Sequence, residues 1–539
     1  MSTPQSVLNI CSGVRLDSRY EHSIYFKSLT AQEAYFAGKV VKTFSAYSYL
    51  RKSWSVKVEA TMEQAKTWNY LYFYNTDSGK VYYYFINQIE YVNDRTVELT
   101  LEMDVIQTYL FDFELLDCFV ERQHTETDGL GEHTVEEGLD TGELYAPGRS
   151  NYKLSDMCIM VMSTINPNAT TEAEAVPALP YMYNGVFSGV KLWAVHSSRW
   201  GDWGDQLETL MEIGQTDAIM AMWMYPQHMV QVYSVDTDGD PWDTEDIAIP
   251  VEGAYDYRTG ATYDFSGMRN TLDGYKPKNN KLHTYPYHFF TVSNNQGSTA
   301  VYRYERFIDT DEILFRMSGS VSPDGGVRCT PCNYNGQSYA FAESLTVTGF
   351  PACAWNSDMF KLWLAQNQNS QSMNMMSGGL KIAAGLVGGV ASLFTGAGAI
   401  AGVPVGIGTA ISGAQQIADA LAQKKDRDVI PPQGKGNFST SVNVTDKIIG
   451  FTFEEKMVTA EYARIIDDYF TMYGYKLNRV QKPNIAARPK FTYVKTVNCH
   501  IKGNMCNEDI VSVEGIFDRG ITFWKDGDRV ADYSQDNTP

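Results

Sequence analysis

The stretch Thr96-Val-Glu-Leu-Thr-Leu-Glu-Met103 alternates apolar and polar positions without a break, placing Val97, Leu99, Leu101 and Met103 on one face. A period of two marks an antiparallel strand with one face in the core and one in water. Residues 81–89 read as its partner, joined to it through a turn at Tyr91-Val-Asn-Asp94, and residues 54–61 as a further strand. Residues 62–70 are expected to form a short helix. Polar, glycine-containing sequence from 126 to 147 predicts a long loop and a domain border. Between about 150 and 345 strand patterns dominate again, interrupted by polar loops at 236–246 and 276–281.

The periodicity changes in the last third. Residues 357–374 carry Met359, Leu362, Trp363 and Met373 among Gln and Asn, and residues 454–473 place Val458, Tyr462, Ile465, Ile466, Tyr469, Phe470 and Tyr473 at spacings of three and four before Gly474. Both predict helices, the second with glycine as its stop. A strand-rich tail is expected over 491–524. Together these elements predict a mainly β (α+β) chain of β-barrel or sandwich domains with a few helices. Its 539 residues are too many for one core. The pattern divides them into a β-rich region at 1–147, a second at 148–345 and an α+β region at 346–539.

One segment breaks the pattern. The 37 residues 382–418 contain no Asp, Glu, Lys or Arg, and nine of them are glycine. Such a run cannot stay exposed to water without aggregating. It is a helix pair buried in a core, a constitutive transmembrane hairpin, or a hairpin that is stored and inserted later. Crossing about 30 Å of hydrocarbon takes about 20 helical residues, so the stretch suits two short spans better than one. Gly402-Val-Pro404-Val-Gly406 falls where a hairpin would turn, leaving arms at 375–400 and 406–421. The glycines argue against an ordinary buried pair, and the lack of Trp or Tyr in the apolar core argues against a permanent anchor. Glycine and alanine weaken both the helix and its insertion relative to Leu and Phe. A segment apolar enough to enter lipid yet pliable enough to be kept out of it is therefore the preferred reading. Its candidate inserting side chains are Ile382, Leu386, Val387, Val390, Leu393, Phe394 and Ile400 on the first arm, with Val403, Val405, Ile407 and Ile411 beyond.

Charge and motifs narrow the function. A net charge of −20 argues against a nucleic-acid grip, which needs clustered Lys and Arg to displace counterions. The first 20 residues carry Arg15, Asp17 and Arg19 and no apolar core of about 7–15 residues, so no signal peptide is expected. Cys11, Cys118, Cys158, Cys329, Cys332, Cys353, Cys499 and Cys506 are too sparse for a disulfide scaffold. Cys329 and Cys332 form one CxxC, but the second pair that a structural zinc wants is missing, and free thiols are the expectation. Asp236-Thr-Asp238-Gly-Asp240 opens like a calcium loop, but Pro241 and Ile247 occupy the positions where an EF-hand needs Gly and Glu, so a solvated loop is expected. None of the GxSxG, HExxH, Walker or dinucleotide motifs occurs, and the carboxylates are too numerous for a pair to be singled out. His288, after Tyr-Pro-Tyr, reads as strand packing rather than as a general base. No enzyme activity, metal or cofactor is expected.

Five stretches in order along the chain resemble the tail-knob (distal tail-tube) protein of small short-tailed bacteriophages that infect Gram-positive bacteria. They are Met103-Asp-Val-Ile-Gln-Thr-Tyr109 through Val120-Glu-Arg-Gln-His124; Gly274-Tyr-Lys-Pro-Lys-Asn-Asn-Lys-Leu-His-Thr-Tyr-Pro-Tyr287 with Ser293-Asn-Asn-Gln-Gly297; Phe350-Pro-Ala-Cys-Ala-Trp355 through Lys361-Leu-Trp-Leu-Ala-Gln-Asn367; Tyr469-Phe-Thr-Met-Tyr-Gly-Tyr475 through Asn478-Arg479; and Gly515-Ile-Phe-Asp-Arg-Gly-Ile-Thr-Phe-Trp524. The resemblance implies a structural virion protein whose β-rich tube domains form a hexameric tube at the far end of the tail. Long apolar loops close its lumen, then leave it, enter the host cytoplasmic membrane and form a channel for ejection of the viral double-stranded DNA. The matching loop here is 375–421, with its turn at Gly402, Pro404 and Gly406. The implied partners are further copies of the chain, other tail proteins toward the proximal tube and the tail tip, membrane lipid, and DNA that passes without specific binding. An acidic lumen suits that passage, because it repels phosphates. The implied location is the virion tail and, transiently, the host membrane. Since 382–418 holds no His, Asp or Glu, an acid trigger is expected in the flank, at Asp419, Asp426 and Asp428. The competing readings are a receptor-binding or wall-degrading tail protein, for which no glycan groove or catalytic pair is legible, and a cellular membrane-anchored protein, disfavoured by the missing targeting sequence.

Overall fold

A computed structural model of the chain describes residues 5–50, 54–154, 156–177, 182–183, 186–187, 189–233, 240–254, 262–322, 325–335, 344–350, 352–353 and 449–539. They form two compact units. One comprises Met1–Tyr145, Asn270–His288 and Met457–Pro539, the other Ala146–Arg269 and Phe289–Lys456. Mainly β structure, in several sheets with few helices, is the outcome in both.

The first unit contains a seven-stranded antiparallel sheet in the order Val40–Phe44, Ser6–Ser12, Trp68–Asn75, Val81–Asn93, Thr96–Met103, Ser55–Glu59, Ser48–Leu50. Strand Thr96–Met103 has the bounds its alternation predicts, with Val97, Leu99 and Leu101 buried. Its partner Val81–Asn93 runs past the expected end at residue 89, and the turn falls on Asp94 and Arg95. Successive side chains of a strand point to opposite faces, and here both faces are covered: Leu8, Ile10, Leu71 and Leu99 belong to one cluster, Cys11, Tyr70, Tyr83 and Phe85 to another. The helix expected at 62–70 is only Met62–Ala65. Thr61 and Gln64 close a capping box at its start, but buried Trp68 and Tyr70 are drawn into strand Trp68–Asn75, where aromatic residues pack well.

This unit also contains a five-stranded sheet, in the order His22–Ile24, Ile521–Trp524, Phe491–Val497, Cys118–Gln123, Tyr475–Gln481. Helix Asn507–Arg519 interrupts the tail that reads as strand-rich; its buried Val513, Ile516 and Phe517 recur at spacings of three and one. Helix Ala460–Tyr473 starts later than the expected 454, because residues 454–458 complete strand Gly450–Val458 and extended Thr459 separates the two. The helix stops at Gly474, whose φ of +64° is left-handed; a Cβ there would lie 2.4 Å from the His124 nitrogen.

The second unit holds a six-stranded sheet ordered Val230–Val232, Ala248–Ala254, Lys191–Val195, Met157–Ser163, Ile219–Pro226, Ala352–Cys353, and a four-stranded sheet ordered Thr262–Ser266, Glu312–Gly319, Val327–Pro331, Leu345–Val347. Strand Gly450–Val458 pairs with Arg149–Lys153 in the register Arg149↔Glu454 to Lys153↔Gly450. One apolar cluster runs through the unit and includes Trp223, Tyr225, Phe290, Phe315 and Phe453, all buried. Helix Trp200–Glu212 departs from the strand pattern expected for this region. Its buried residues Trp203, Gln206, Leu207 and Leu210 share one face at spacings of three and four.

Candidate functional site

The candidate membrane-inserting side chains from Ile382 to Ile411, the turn at Gly402, Pro404 and Gly406, and the acidic flank of Asp419, Asp426 and Asp428 all lie outside the described residues. So do the helix expected at 357–374 and the first part of the Asp236–Asp246 loop, residues 236–239. The structure does place the two roots between which that segment is strung.

The chain enters it through Leu345–Val347, the last strand of the four-stranded sheet, in the register Val327↔Val347 and Cys329↔Leu345. Gly326 faces this strand so closely that a Cβ would lie 2.6 Å from the Val347 carbonyl oxygen. Ala352–Cys353 follows as the last strand of the six-stranded sheet, opposite Trp223 and Met222. Both entry strands are short and lie at sheet edges. The return is built differently. The Ile449 carbonyl accepts from Leu154 N at 2.8 Å, and Gly450–Val458 then runs inside its sheet, with Phe451 and Phe453 fully buried. Buried Glu455 accepts from Arg269 Nε at 2.5 Å and Tyr304 Oη at 3.4 Å, fixing the strand further.

One five-residue turn holds both roots. Ser293-Asn-Asn-Gln-Gly297 closes the hairpin between strands His288–Ser293 and Thr299–Tyr302; Asn295 has φ +55° and Gly297 +97°. Asn294 Oδ1 shapes it by accepting from Gln296 N (2.9 Å) and Ser298 N (3.0 Å). The side-chain donors then point outward to main chain. Asn294 Nδ2 donates to Thr346 O at 2.9 Å. Gln296 Nε2 donates to Thr348 O at 2.5 Å while its Oε1 accepts from Thr348 N at 3.0 Å. Asn295 reaches the other root, donating to Gly450 O at 3.0 Å and accepting from Thr452 Oγ1 at 3.0 Å. Asn294 and Gln296 hold the way in, and Asn295 the way back.

These amides and hydroxyls do not titrate, so acid cannot unlatch the turn directly. Burial pushes the nearby Tyr152 hydroxyl up to about 12, and burial together with Glu455 raises that of Tyr304, so both stay protonated. Burial also lowers His228, whose neutral ring meets Tyr152 Oη at 3.1 Å. Cys329 and Cys332 are free thiols raised by burial, an unreactive setting. Among the described residues no group of three or more His, Cys, Asp or Glu is placed to hold a metal, and no helix is long and apolar enough to cross a membrane.

A second constellation lies within the first unit, where three of the five stretches meet. Lys281 and Arg122 converge on the two carboxylate oxygens of Glu137, whose side chain is fully buried. Lys281 also donates to Val135 O at 2.8 Å and lies over the Phe470 and Tyr475 rings, while Arg122 donates to Gly474 O at 2.7 Å and lies over Tyr469. Buried Asp467 accepts from Tyr275 Oη (2.6 Å), Lys278 N (2.8 Å) and Asn279 Nδ2 (2.8 Å). Asp128 accepts from Tyr475 Oη (2.6 Å) and Asn280 N (2.9 Å), its pKa raised by burial. Segment 276–281 is the polar loop its composition predicts, with Lys276, Lys278 and Asn280 exposed, and Asn279 and Lys281 turn inward from it into this network. Each of the three carboxylates accepts from at least two donors, and such pairing is the condition under which buried charge is tolerated. The arrangement fastens helix Ala460–Tyr473 to the rest of the unit.

The domain family described as the C-terminal domain of tail knob protein gp9 from Bacillus phage phi29 matches residues 253–538, and the caudoviral major tail protein N-terminus matches residues 4–114. Over 98% of its length and 98% of theirs, the chain is similar to the tail knob proteins gp9 of Bacillus phage PZA, at 26% identity, and of Bacillus phage phi29, at 25%. Its fold is similar to the structure of the bacteriophage C1 tail knob protein, gp12, with a TM-score of 0.62, 15% identity and 98% of both chains covered.

Proposed function

The chain belongs to the family of the phi29 tail knob protein gp9, a structural component of the phage tail, and from that premise we propose that its apolar segment 375–421 is the membrane-active part of the knob. Copies of the chain, six in this reading, form the distal tail tube and contact the neighbouring tail proteins. The segments plug the lumen in the virion. They then enter the host cytoplasmic membrane and line a channel through which the DNA passes. The observation that supports this is the run of 37 residues without a formal charge, strung between an edge-strand root and an interior-strand root. Six copies bring about twelve short spans together, enough to enclose an aqueous path rather than merely to anchor.

Ile382, Leu386, Val387, Val390, Leu393, Phe394, Ile400, Val403, Val405, Ile407 and Ile411 are the side chains proposed to enter lipid, with Gly402, Pro404 and Gly406 as the turn. Asp419, Asp426 and Asp428 must be brought toward the headgroups as the second arm inserts, and protonation lowers that cost. The test is dye release from liposomes by the assembled protein, with and without residues 377–422, across about pH 4.5 to 7.5, where carboxylates shifted upward titrate. Leakage that disappears with the deletion supports the reading. A well-assembled full-length protein that releases no dye at any pH refutes insertion and leaves a plug. Changing the three aspartates to Asn must flatten any pH dependence; an unchanged profile rules them out as the trigger.

A further inference from the structure

Two surfaces of the first unit expose apolar side chains at a sheet edge and carry opposite charge. One is the end of the five-stranded sheet, where Tyr475–Gln481 is the last strand. Lys476 N at its start donates to Glu137 Oε1 at 3.0 Å, but Asn478, Arg479 and Val480 are exposed. Register sets Val480 and Val497 on either side of Phe119, and the three are 71%, 44% and 38% exposed. A row of apolar side chains across three neighbouring strands, left in water, is an interaction surface rather than a scatter of single residues. The sequence around the row is basic: residues 469–507 carry seven Lys or Arg and no Asp or Glu, in a chain of net charge −20. Glu114 takes up Lys482 at 2.6 Å and Glu121 takes up Lys495 at 2.9 Å. Exposed Arg479 and Lys502 form no ion pair among the described residues.

The other surface is acidic. Residues 126–143 hold seven Asp or Glu and no Lys or Arg. Asp128 and Glu137 turn inward, while Glu132, Glu136, Asp140 and Glu143 are exposed and meet no Lys or Arg among the described residues. The segment runs into the edge strand Leu144–Tyr145, which pairs with Val458 and Met457 and exposes both of its own side chains. We propose that the basic edge of one copy docks on the acidic edge of the next, head to tail, an inference that rests on the reading that copies of the chain form the tail tube. Such a contact needs two different patches set apart on one copy. Helix Ala460–Tyr473 supplies the separation. The strand that pairs with Leu144–Tyr145 precedes it, strand Tyr475–Gln481 follows it, and its 14 residues span about 21 Å. Copies that are all strongly negative repel one another, so an attractive contact must bring unlike charges together; the apolar rows supply the buried area and the charges fix the register.

Sedimentation velocity of the full-length protein over a concentration series tests this. Val480→Asp, at a largely exposed position, is expected to weaken self-association by roughly tenfold or more while the melting temperature of the monomer stays unchanged. Arg479→Glu with Lys502→Glu is expected to weaken it as well, and so is Asp140→Lys with Glu143→Lys. A chain carrying all four charge reversals must associate within about threefold of the wild type, because each reversed edge again meets its complement. Failure of that rescue overturns the proposal. Oligomers indifferent to every change overturn it alone and leave the tube to other contacts, and a wild type that stays monomeric overturns it together with the tube reading. Unchanged self-association combined with loss of the variants from assembled tails also overturns it, and gives the basic edge to a different tail protein.

Discussion

Replacing Gln296 by Ala removes a reciprocal pair of hydrogen bonds to Thr348, the residue that follows edge strand Leu345–Val347 on the way to the apolar segment. Both bonds lie at the surface, so each contributes at the lower end of the usual range, about 0.5–1 kcal/mol. Together they account for about 1–2 kcal/mol of local opening free energy, and since 1.4 kcal/mol is tenfold, the Thr348 amide must exchange about 5- to 30-fold faster. Hydrogen exchange resolved to peptides covering 344–350 and 449–454 reads this directly. The geometry also predicts a separation: Gln296→Ala loosens the entry root alone, while Asn295→Gly loosens the return root by removing its bonds to Gly450 and Thr452. Glycine keeps the positive φ of Asn295, so Asn295→Ala must cost about 1 kcal/mol more than Asn295→Gly. Equal exchange at Thr348 in the wild type and Gln296→Ala would refute the clamp, as would loosening of both roots by either change.

Lys281→Met leaves Glu137 buried with one cation fewer and strands the Val135 carbonyl, and a loss of about 3–5 kcal/mol is expected in urea unfolding. Lys39→Met, which breaks an ion pair with largely exposed Asp528, must cost less than about 1 kcal/mol and serves as the control. Asp104 is fully buried, accepts from Tyr70 Oη at 2.9 Å and Gln107 N at 3.0 Å, and has its pKa raised to about 7, chiefly by burial. Because the folded value lies above the unfolded one, its stabilising contribution is complete below about pH 4 and disappears as pH rises through about 7, with an upper bound on the order of 4 kcal/mol. Melting curves of Asp104→Asn must therefore depend less on pH across that window than those of the wild type; parallel profiles would show that Asp104 is ionised throughout.

Strand Thr96–Met103 is legible in the sequence because one face meets core and the other does not, so burial writes a period of two into the residues themselves. Helix Trp200–Glu212 is harder to read, since Gly201 and Gly204 sit inside it and only one turn-to-turn stripe is apolar. The threading of two units leaves no mark at all: one crossing, between Lys456 and Met457, falls inside the continuous strand Gly450–Val458. The two constellations fail to show for a related reason. Lys276 to Lys281 has the composition of a solvated loop, and only the approach of Glu137 and Asp467, far away in sequence, turns Asn279 and Lys281 inward. Ser293-Asn-Asn-Gln-Gly297 is readable as a turn, yet what it grips is the main chain of Thr346, Thr348 and Gly450, apart from the Thr452 hydroxyl. A backbone acceptor exists at every position whatever its side chain, so a device made of side-chain amides and main-chain carbonyls has only half its parts in the sequence. That half shows where the chain turns; only the fold shows that the turn holds both roots of the apolar segment.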